Sequence, residues 1–399
     1  MIHMSLVDTE TRMWEKLPRP RRVTISADEI DAKYSAKEER IVTETNREKL
    51  PNFVEAFKRP GEINVRPFYQ RRRRWTAERQ SLLIESFLMN IPVPPLFLYE
   101  TEENTYEVMD GQQRINAILS FYNNDLKLCG LERWPELNGK TLSKLPPKIK
   151  AGIDRRSISY VVLLTESAET KEEALLLKQL VFERLNTGGV GLSIQEVRNC
   201  IYQGRFNNLL LELSRNPIFR RAWKLPEYTE LEESNLDDSL VENPFYAKML
   251  DVELVLRFFA LRNAEHYQGG MQGFLDLYMV RAQAFSDEEL AQLRGLFTKT
   301  LTVGNEIFGD LLFRPFDVAK DDWARNPQRA FYDSVMVSLS ALLDQPEVLI
   351  NRKDRVIEQT RELFVQHPNG TFTGRGNTKQ DVQERIGLFQ AMLMHVVEQ

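Results

Sequence analysis

Cysteine is scarce in this chain: two, Cys129 and Cys200, in 399 residues. Neither lies in a CxxC or Cys/His cluster, so a disulfide scaffold or a zinc knuckle is not expected, and a reducing, cytoplasmic setting is. The cysteines are expected to be inert small apolar residues. Histidine is almost as rare. His3, His266, His367 and His395 are the four in the chain, and none pairs with another at metal-ligand spacing. That removes the usual basis for a metal hydrolase or an HNH-type nuclease. Long apolar runs are missing too. The longest candidates, Leu82–Met89 and Ser159–Leu164, fall far short of the roughly 18 to 20 residues that cross a bilayer. The first residues contain no apolar signal-peptide core, so no export route and no membrane partner are expected. A Walker A loop is absent, because Gly139-Lys140-Thr141 supplies only its tail. There is no GxSxG elbow and no kinase signature set. No internal repeat interrupts the chain.

What is present is ordinary for a globular protein: 42% apolar and 28% charged residues, with a net charge of −5. Bulk coating of nucleic acid does not fit that charge. Local basic patches remain, at Arg71–Arg74 and at Arg19, Arg21 and Arg22. A solvated face explains such runs as well as a ligand does.

Along the chain, residues 1–45 are polar with few apolar anchors and read as a partly ordered arm. From 46 on, helix and strand signals alternate. A short helix spans Asn46–Lys58, and a short strand spans Glu62–Val65. Thr76 is placed to cap a helix over Ala77–Met89 that buries Leu82, Leu83, Ser86 and Phe87. Leu96–Tyr99 and Tyr106–Met109 form a hairpin. A helix follows to Tyr122, with Ile115, Ile118, Leu119 and Tyr122 on one face. Ser157–Leu164 is a strand. Thr170–Leu185, Ser193–Tyr202 and Phe206–Ser214 are helices. Beyond 216 only helical spacing recurs: Pro244–Arg262, Ser286–Phe308, Pro327–Leu343, Lys353–Gln366 and Asp381–Val397. The expected fold class is α+β, with an α+β domain over 46–215 and an all-helical domain over 216–399.

The stretch Asp110-Gly111-Gln112-Gln113-Arg114 carries the most chemistry. As local structure it is a helix start: Asp110 as N-cap, Gln113 three residues on in a capping box, Gly111 easing the turn. Capping leaves Gln112 and Arg114 without a role, and arginine in a first turn opposes the helix dipole. An anion reverses that sign. The amides of Gly111, Gln112 and Gln113 would then point at a phosphate, and Arg114 would clamp it. Asp110 could hold Mg²⁺ through water, while Gln112 could orient water or read a base edge. From these residues alone, capping and phosphate binding stand about equal.

Two further segments accompany it. Gln70-Arg71-Arg72-Arg73-Arg74-Trp75 precedes it, and Val181-Phe182-Glu183-Arg184-Leu185-Asn186-Thr187-Gly188-Gly189 follows. This ordered set, over roughly residues 46 to 215, resembles the N-terminal domain of GmrSD-type modification-dependent restriction enzymes. The resemblance implies a ParB/sulfiredoxin-like fold and a domain that binds and hydrolyses an NTP with Mg²⁺, in a prokaryotic defence system against phage or modified DNA. It implies phosphate held at the helix start by Asp110, Gly111, Gln112, Gln113 and Arg114. Gln70, Arg71, Arg184 and Asn186 would be further nucleotide contacts, with Phe182 and Gly188 in the same motif. Such enzymes place cutting in a separate HNH-type domain. The helical half here lacks a histidine-centred signature, so nuclease activity is not expected from this chain alone. DNA and a separate nuclease or methyltransferase subunit are the implied partners. A module that binds nucleotide or DNA without turnover and controls a partner nuclease is the alternative. Neither nucleotide identity nor oligomeric state follows from the sequence.

The remaining residues have plainer explanations. Phe68, Tyr69 and Trp75 suit packing better than base stacking. Glu183 and Glu196 suit a helix surface better than catalysis. His266 sits in a turn with Tyr267–Gly270. The loop Thr373–Lys379 either links two helices or closes over a nucleotide, and linking is favoured.

Overall fold

In a computed structural model, the structure describes residues 6–14, 26–28, 31, 41–59, 63–64, 75–102, 105–164, 171–185, 193–230, 232, 240, 243–368 and 370–398. The chain divides into two compact units. One comprises Pro20–Gly191, and the other Met1–Arg19 together with Leu192–Gln399. The division falls at Gly191/Leu192, ahead of the expected 215/216, and residues 1–19 group with the helical unit.

The first unit is α+β. Its strands are β1 (Thr43–Lys49), β2 (Ile63–Asn64), β3 (Leu96–Glu102), β4 (Thr105–Asp110) and β5 (Ser157–Leu163), in the order β1-β5-β3-β4-β2. β1 pairs antiparallel with β5, β5 parallel with β3, β3 antiparallel with β4, and β4 parallel with β2. The hairpin and the Ser157 strand match the alternation of the sequence. Asn46–Lys49 does not. It belongs to β1, because it pairs along Tyr160–Ser157, and the helix starts only at Leu50 with Pro51 at its first turn.

Helices α2 (Leu50–Lys58), α3 (Ala77–Leu88), α4 (Gln112–Tyr122) and α5 (Pro147–Asp154) cover the sheet, and α6 (Lys171–Leu185) packs against β4. One apolar core joins them, from Phe53, Ile84 and Phe87 through Leu96, Leu98, Ile115, Ile118 and Phe121 to Ile158 and Val162. Thr76 caps α3 as expected, accepting the Arg79 amide at 3.3 Å. The buried face of α3 is rotated from the expected one. Ser81, Leu83, Ile84, Glu85 and Phe87 are buried and Leu82 is exposed. The reason is Glu85, whose Oε1 accepts the amides of Arg133 at 2.8 Å and Trp134 at 2.9 Å and so must face inward.

The second unit is helical. It contains α7 (Ile194–Ile201), α8 (Arg205–Leu213), α9 (Pro217–Ala222), α10 (Pro244–Ala247), α11 (Leu250–Leu261), α12 (Gly270–Arg281), α13 (Asp287–Phe308), α14 (Arg329–Ser340), α15 (Pro346–Asn351), α16 (Lys353–Gln366) and α17 (Lys379–Glu398). From Ala330 to Ser340 every residue of α14 is buried, as befits a helix with neighbours all round. The expected helix over Pro244–Arg262 is broken at Met249, which adopts φ +54°. Helix α12 was not legible, because it starts on Gly269 and Gly270 with no side-chain cap.

The arm expectation for residues 1–45 fails at Val7–Trp14. These residues are anchored in the helical unit. Glu10 is fully buried, accepting from Arg262 Nη1 at 3.1 Å, Asn263 Nδ2 at 3.2 Å and the Tyr278 hydroxyl at 2.8 Å. Trp14 stacks on His266 with centroids 5.0 Å apart and donates its indole N–H to Asn263 Oδ1. His266 therefore packs rather than merely turning the chain. Loop Thr373–Lys379 joins α16 to α17. Tyr267 and Arg385 hold it by donating to Asn377 and Gly376 carbonyl oxygens.

Candidate functional site

Strand β4 delivers Asp110 to a sharp turn at Gly111, and α4 begins at once. Gly111 is the N-cap residue, in the left-handed region at φ +96°. A side chain there would be strained, and a Cβ would lie 2.2 Å from Leu96 Cδ2. The first intrahelical bond runs from the Ile115 amide to the Gly111 carbonyl at 2.9 Å. The capping-box expectation is therefore corrected. The cap falls one residue later than Asp110, and no side chain caps the helix.

Asp110 and Gln113 are freed for other work. Asp110 Oδ2 accepts from Arg114 Nη2 at 2.6 Å, and the aspartate side chain is about half exposed. Gln113 Oε1 accepts the Trp75 amide at 3.1 Å. That bond ties the residue that ends the Gln70–Trp75 segment to the first turn of α4. Trp75 itself packs against the core, with the Arg79 guanidinium 5.2 Å from its ring.

Arg114 is held on one edge. Its Nη1 donates to the carbonyl oxygens of Pro94 and Pro95, the latter at 3.2 Å. These prolines lie in the extended run before β3, which cannot be helical. Of the five guanidinium N–H groups, three meet these oxygens. The Nε–H meets no acceptor among the described residues. Burial lowers the Arg114 pKa, and the adjacent Asp110 carboxylate opposes that shift. The group stays a cation.

Gln112 is 2% exposed, so its side chain lies inside the fold. A role toward water or a base edge requires a different rotamer. Gln70, Arg71, Asn186 and Gly188 lie outside the described residues, as do Arg72–Arg74, Phe68 and Tyr69. Phe182 is buried in α6, and Arg184, two residues on, is exposed.

One buried cluster was missed in the sequence. Glu107 on β4 forms an ion pair with Lys178 on α6, both nearly fully buried. Lys178 Nζ also lies 5.1 Å from the ring centre of Tyr99, the cross-strand partner of Glu107. Burial raises the Tyr99 pKa, and the Glu107 carboxylate adds to it. The pair pins α6 to the strand that delivers Asp110, three residues upstream. A signal existed: Glu107 is a charged residue directly before the apolar Val108 and Met109, both buried.

Glu196 is not on the surface, where the sequence placed it. It completes a capping box with Ser193 and is 4% exposed. Among the described residues, no group of three His, Cys, Asp or Glu side chains is arranged to hold a metal. No described helix is long and apolar enough to cross a membrane.

No curated protein and no solved structure matches the chain. Residues 52–203 match the family of the GmrSD restriction endonuclease N-terminal domain, a span that contains α3, the hairpin, the Gly111 turn and α6. The region from 52 to 203 is thus an N-terminal domain of the GmrSD restriction type, a module related to restriction and defence.

Proposed function

We propose that the α+β unit binds a nucleoside triphosphate, with its phosphates at the Gly111–Arg114 start of α4. The observation that carries this reading is Arg114. Three oxygens fix its guanidinium at the first turn of a helix, and its Nε–H is left for a ligand. A fixed fork with donors to spare suits phosphate, because little side-chain entropy is lost on binding. The helix start adds amide donors and the positive end of its dipole. Gln113 supports the reading by bringing Trp75, the residue that ends the Gln70–Trp75 motif in the sequence, to the same turn.

Asp110 fits a Mg²⁺ site of the phosphate-dominated kind, since Mg²⁺ needs one or two carboxylates beside phosphates and water. Its half-exposed carboxylate is what the chain would offer, and the ion would neutralise phosphate charge there. Arg184 and Asn186 are proposed further contacts, on and just after the helix that Lys178 and Glu107 hold. Hydrolysis is the favoured consequence, in service of a partner nuclease or methyltransferase acting on DNA.

Melting curves of the full chain with each of the four NTPs and Mg²⁺ test the binding. Ligand at a hundred times Kd adds about 2.7 kcal/mol of stability. The variant Arg114→Lys keeps the charge and loses the fork, and it is expected to weaken the best NTP at least tenfold. Its melting temperature without nucleotide controls for the Pro94 and Pro95 contacts. No shift with any NTP in the wild-type chain refutes the reading. Binding without phosphate release, with and without DNA, makes the unit a regulatory module instead.

A further inference from the structure

A strongly cationic stretch of the described residues follows α4 in the chain. From Asn138 to Arg156 the sequence carries four lysines and two arginines against one aspartate, in a chain of net charge −5. Asp154, the one acid, accepts from the Tyr122 hydroxyl at 2.8 Å. Arg156 is occupied with the end of α3, donating to the Phe87 and Leu88 carbonyl oxygens and to Asn90 Oδ1. Lys144, Lys148, Lys150 and Arg155 are exposed and make no ion pair among the described residues.

Geometry sorts these cations into two sets. Helix α5 turns its buried Ile153 and half-buried Ile149 inward. At 100° per residue Lys148 and Arg155 then share one flank, two turns or about 10 Å apart, with exposed Ala151 between them. Lys150 lies on the other flank, one turn before Asp154. Lys144 precedes α5 at the end of a short 3-10 turn, four residues before Lys148. Lys127 and Lys140 add to the surface beyond it. They lie on adjoining segments joined by the Leu128 amide to the Lys140 carbonyl at 3.0 Å and by the Gly139 amide to the Leu128 carbonyl at 2.7 Å.

Local structure does not explain the pattern. The first turn of α5 holds no acid and no side-chain cap, so Lys148 and Lys150 oppose the helix dipole. Pro146 and Pro147 set the start of the helix, and buried Leu142 and Leu145 anchor the segment before it. The cations are thus presented on a rigid base at a cost in local stability.

We infer that Lys144, Lys148 and Arg155, extended by Lys127 and Lys140, form a sequence-independent docking surface for the phosphate backbone of duplex DNA. A polyanion is required by the charge. A duplex is favoured over a single strand because the segment that carries Lys144, Lys148 and Arg155 has no aromatic side chain, the exposed Trp134 lying before it, and single strands are held by stacking bases on aromatics. DNA fits a domain of the restriction type. The surface is independent of whether the Gly111 turn holds a nucleotide.

The test is the salt dependence of binding of the full chain to a short labelled DNA duplex, from about 50 to 200 mM salt. Replacing Lys144, Lys148 and Arg155 together by glutamine removes three phosphate contacts. The slope of log K against log salt is expected to fall by about 2.7, with affinity at low salt reduced at least tenfold. Lys150→Gln, on the other flank, is expected to leave the slope within about half of one contact. An unchanged slope in the triple variant overturns the inference. So does equal loss in Lys150→Gln, which makes the effect one of net charge. Tighter binding of single-stranded DNA or of polyglutamate than of the duplex overturns it as well. The NTP-dependent melting shift of the triple variant separates this outcome from failure of the nucleotide reading.

Discussion

The two units of this protein differ in how they dispose of charge. The helical unit buries several ion pairs, beside others at its surface such as Arg205 with Asp287 and Arg294 with Glu212. Arg262 with Glu10, Arg257 with Asp333, Arg198 with Asp276 and Arg220 with Glu232 are all nearly inaccessible. The α+β unit buries one described pair, Lys178 with Glu107. It leaves Asp110 half open beside Arg114, and a surface on which Lys144, Lys148 and Arg155 are exposed without an ion pair among the described residues. Buried pairs that are fully hydrogen-bonded fix a unique packing without adding much stability over an apolar core. The buried pairs of the helical unit serve its packing, and the half-open Asp110 and Arg114 are where the proposed ligand would act.

The largest expected effect lies in the helical unit. Glu10→Ala removes the buried carboxylate that Arg262, Asn263 and Tyr278 share, and breaks a buried ion pair. Such losses cost about 3 to 5 kcal/mol. Chemical denaturation of the full chain, followed through the Trp14 environment, is expected to show that loss. A change within about 0.5 kcal/mol would break the comparison, because it would make the Val7–Trp14 segment an ornament on the unit.

The second effect is smaller and more informative. Lys178→Met alone removes the cation of a buried ion pair, and is expected to cost about 3 kcal/mol. The double variant Lys178→Met, Glu107→Leu restores apolar packing and is expected to recover most of that loss. If NTP binding stays impaired in the double variant, the pair positions α6 for the ligand. If binding recovers with stability, any apolar contact that holds α6 against β4 will serve.

What the sequence disclosed follows the same division. Some local signals were readable. Thr76 caps α3, and a strand–glycine–helix junction surrounds Gly111, whereas the box that Ser193 and Glu196 form at the start of α7 was missed, the sequence placing Glu196 on a surface. Long-range partners were not readable. Glu10 looks like one more acid in a polar arm until Arg262 and Tyr278, more than 250 residues away, come to meet it. Glu85 rotates α3 because two amides some 48 residues on need an acceptor. At the candidate site the residue types were legible and their geometry was not. Capping was assigned to Asp110, whereas the left-handed Gly111 takes that place and releases both Asp110 and Gln113. The two segments that accompany this turn, around Arg71 and Asn186, lie outside the described residues.

The smallest effect joins the N-terminal segment to pH. Glu289 caps α13 through the Ser286 amide at 2.9 Å, and its other oxygen accepts the Thr9 amide at 2.8 Å. Burial pushes its pKa up slightly, but hydrogen bonds from Ser286 and Thr9 outweigh that and hold the carboxyl below its ordinary value. A depressed folded value means that the stabilisation is present above the unfolded pKa of about 4.3 and is lost as pH falls through the folded one. The amide of Thr9 is therefore expected to exchange faster with deuterium below about pH 4, after correction for intrinsic rates. Glu289→Gln keeps an acceptor but carries no charge, so its protection should be weaker at neutral pH and flat through the acid range. A wild-type profile as flat as that of Glu289→Gln would show that the segment is held by its buried residues alone, and that the surface charges of the helical unit do as little as its buried ones do much.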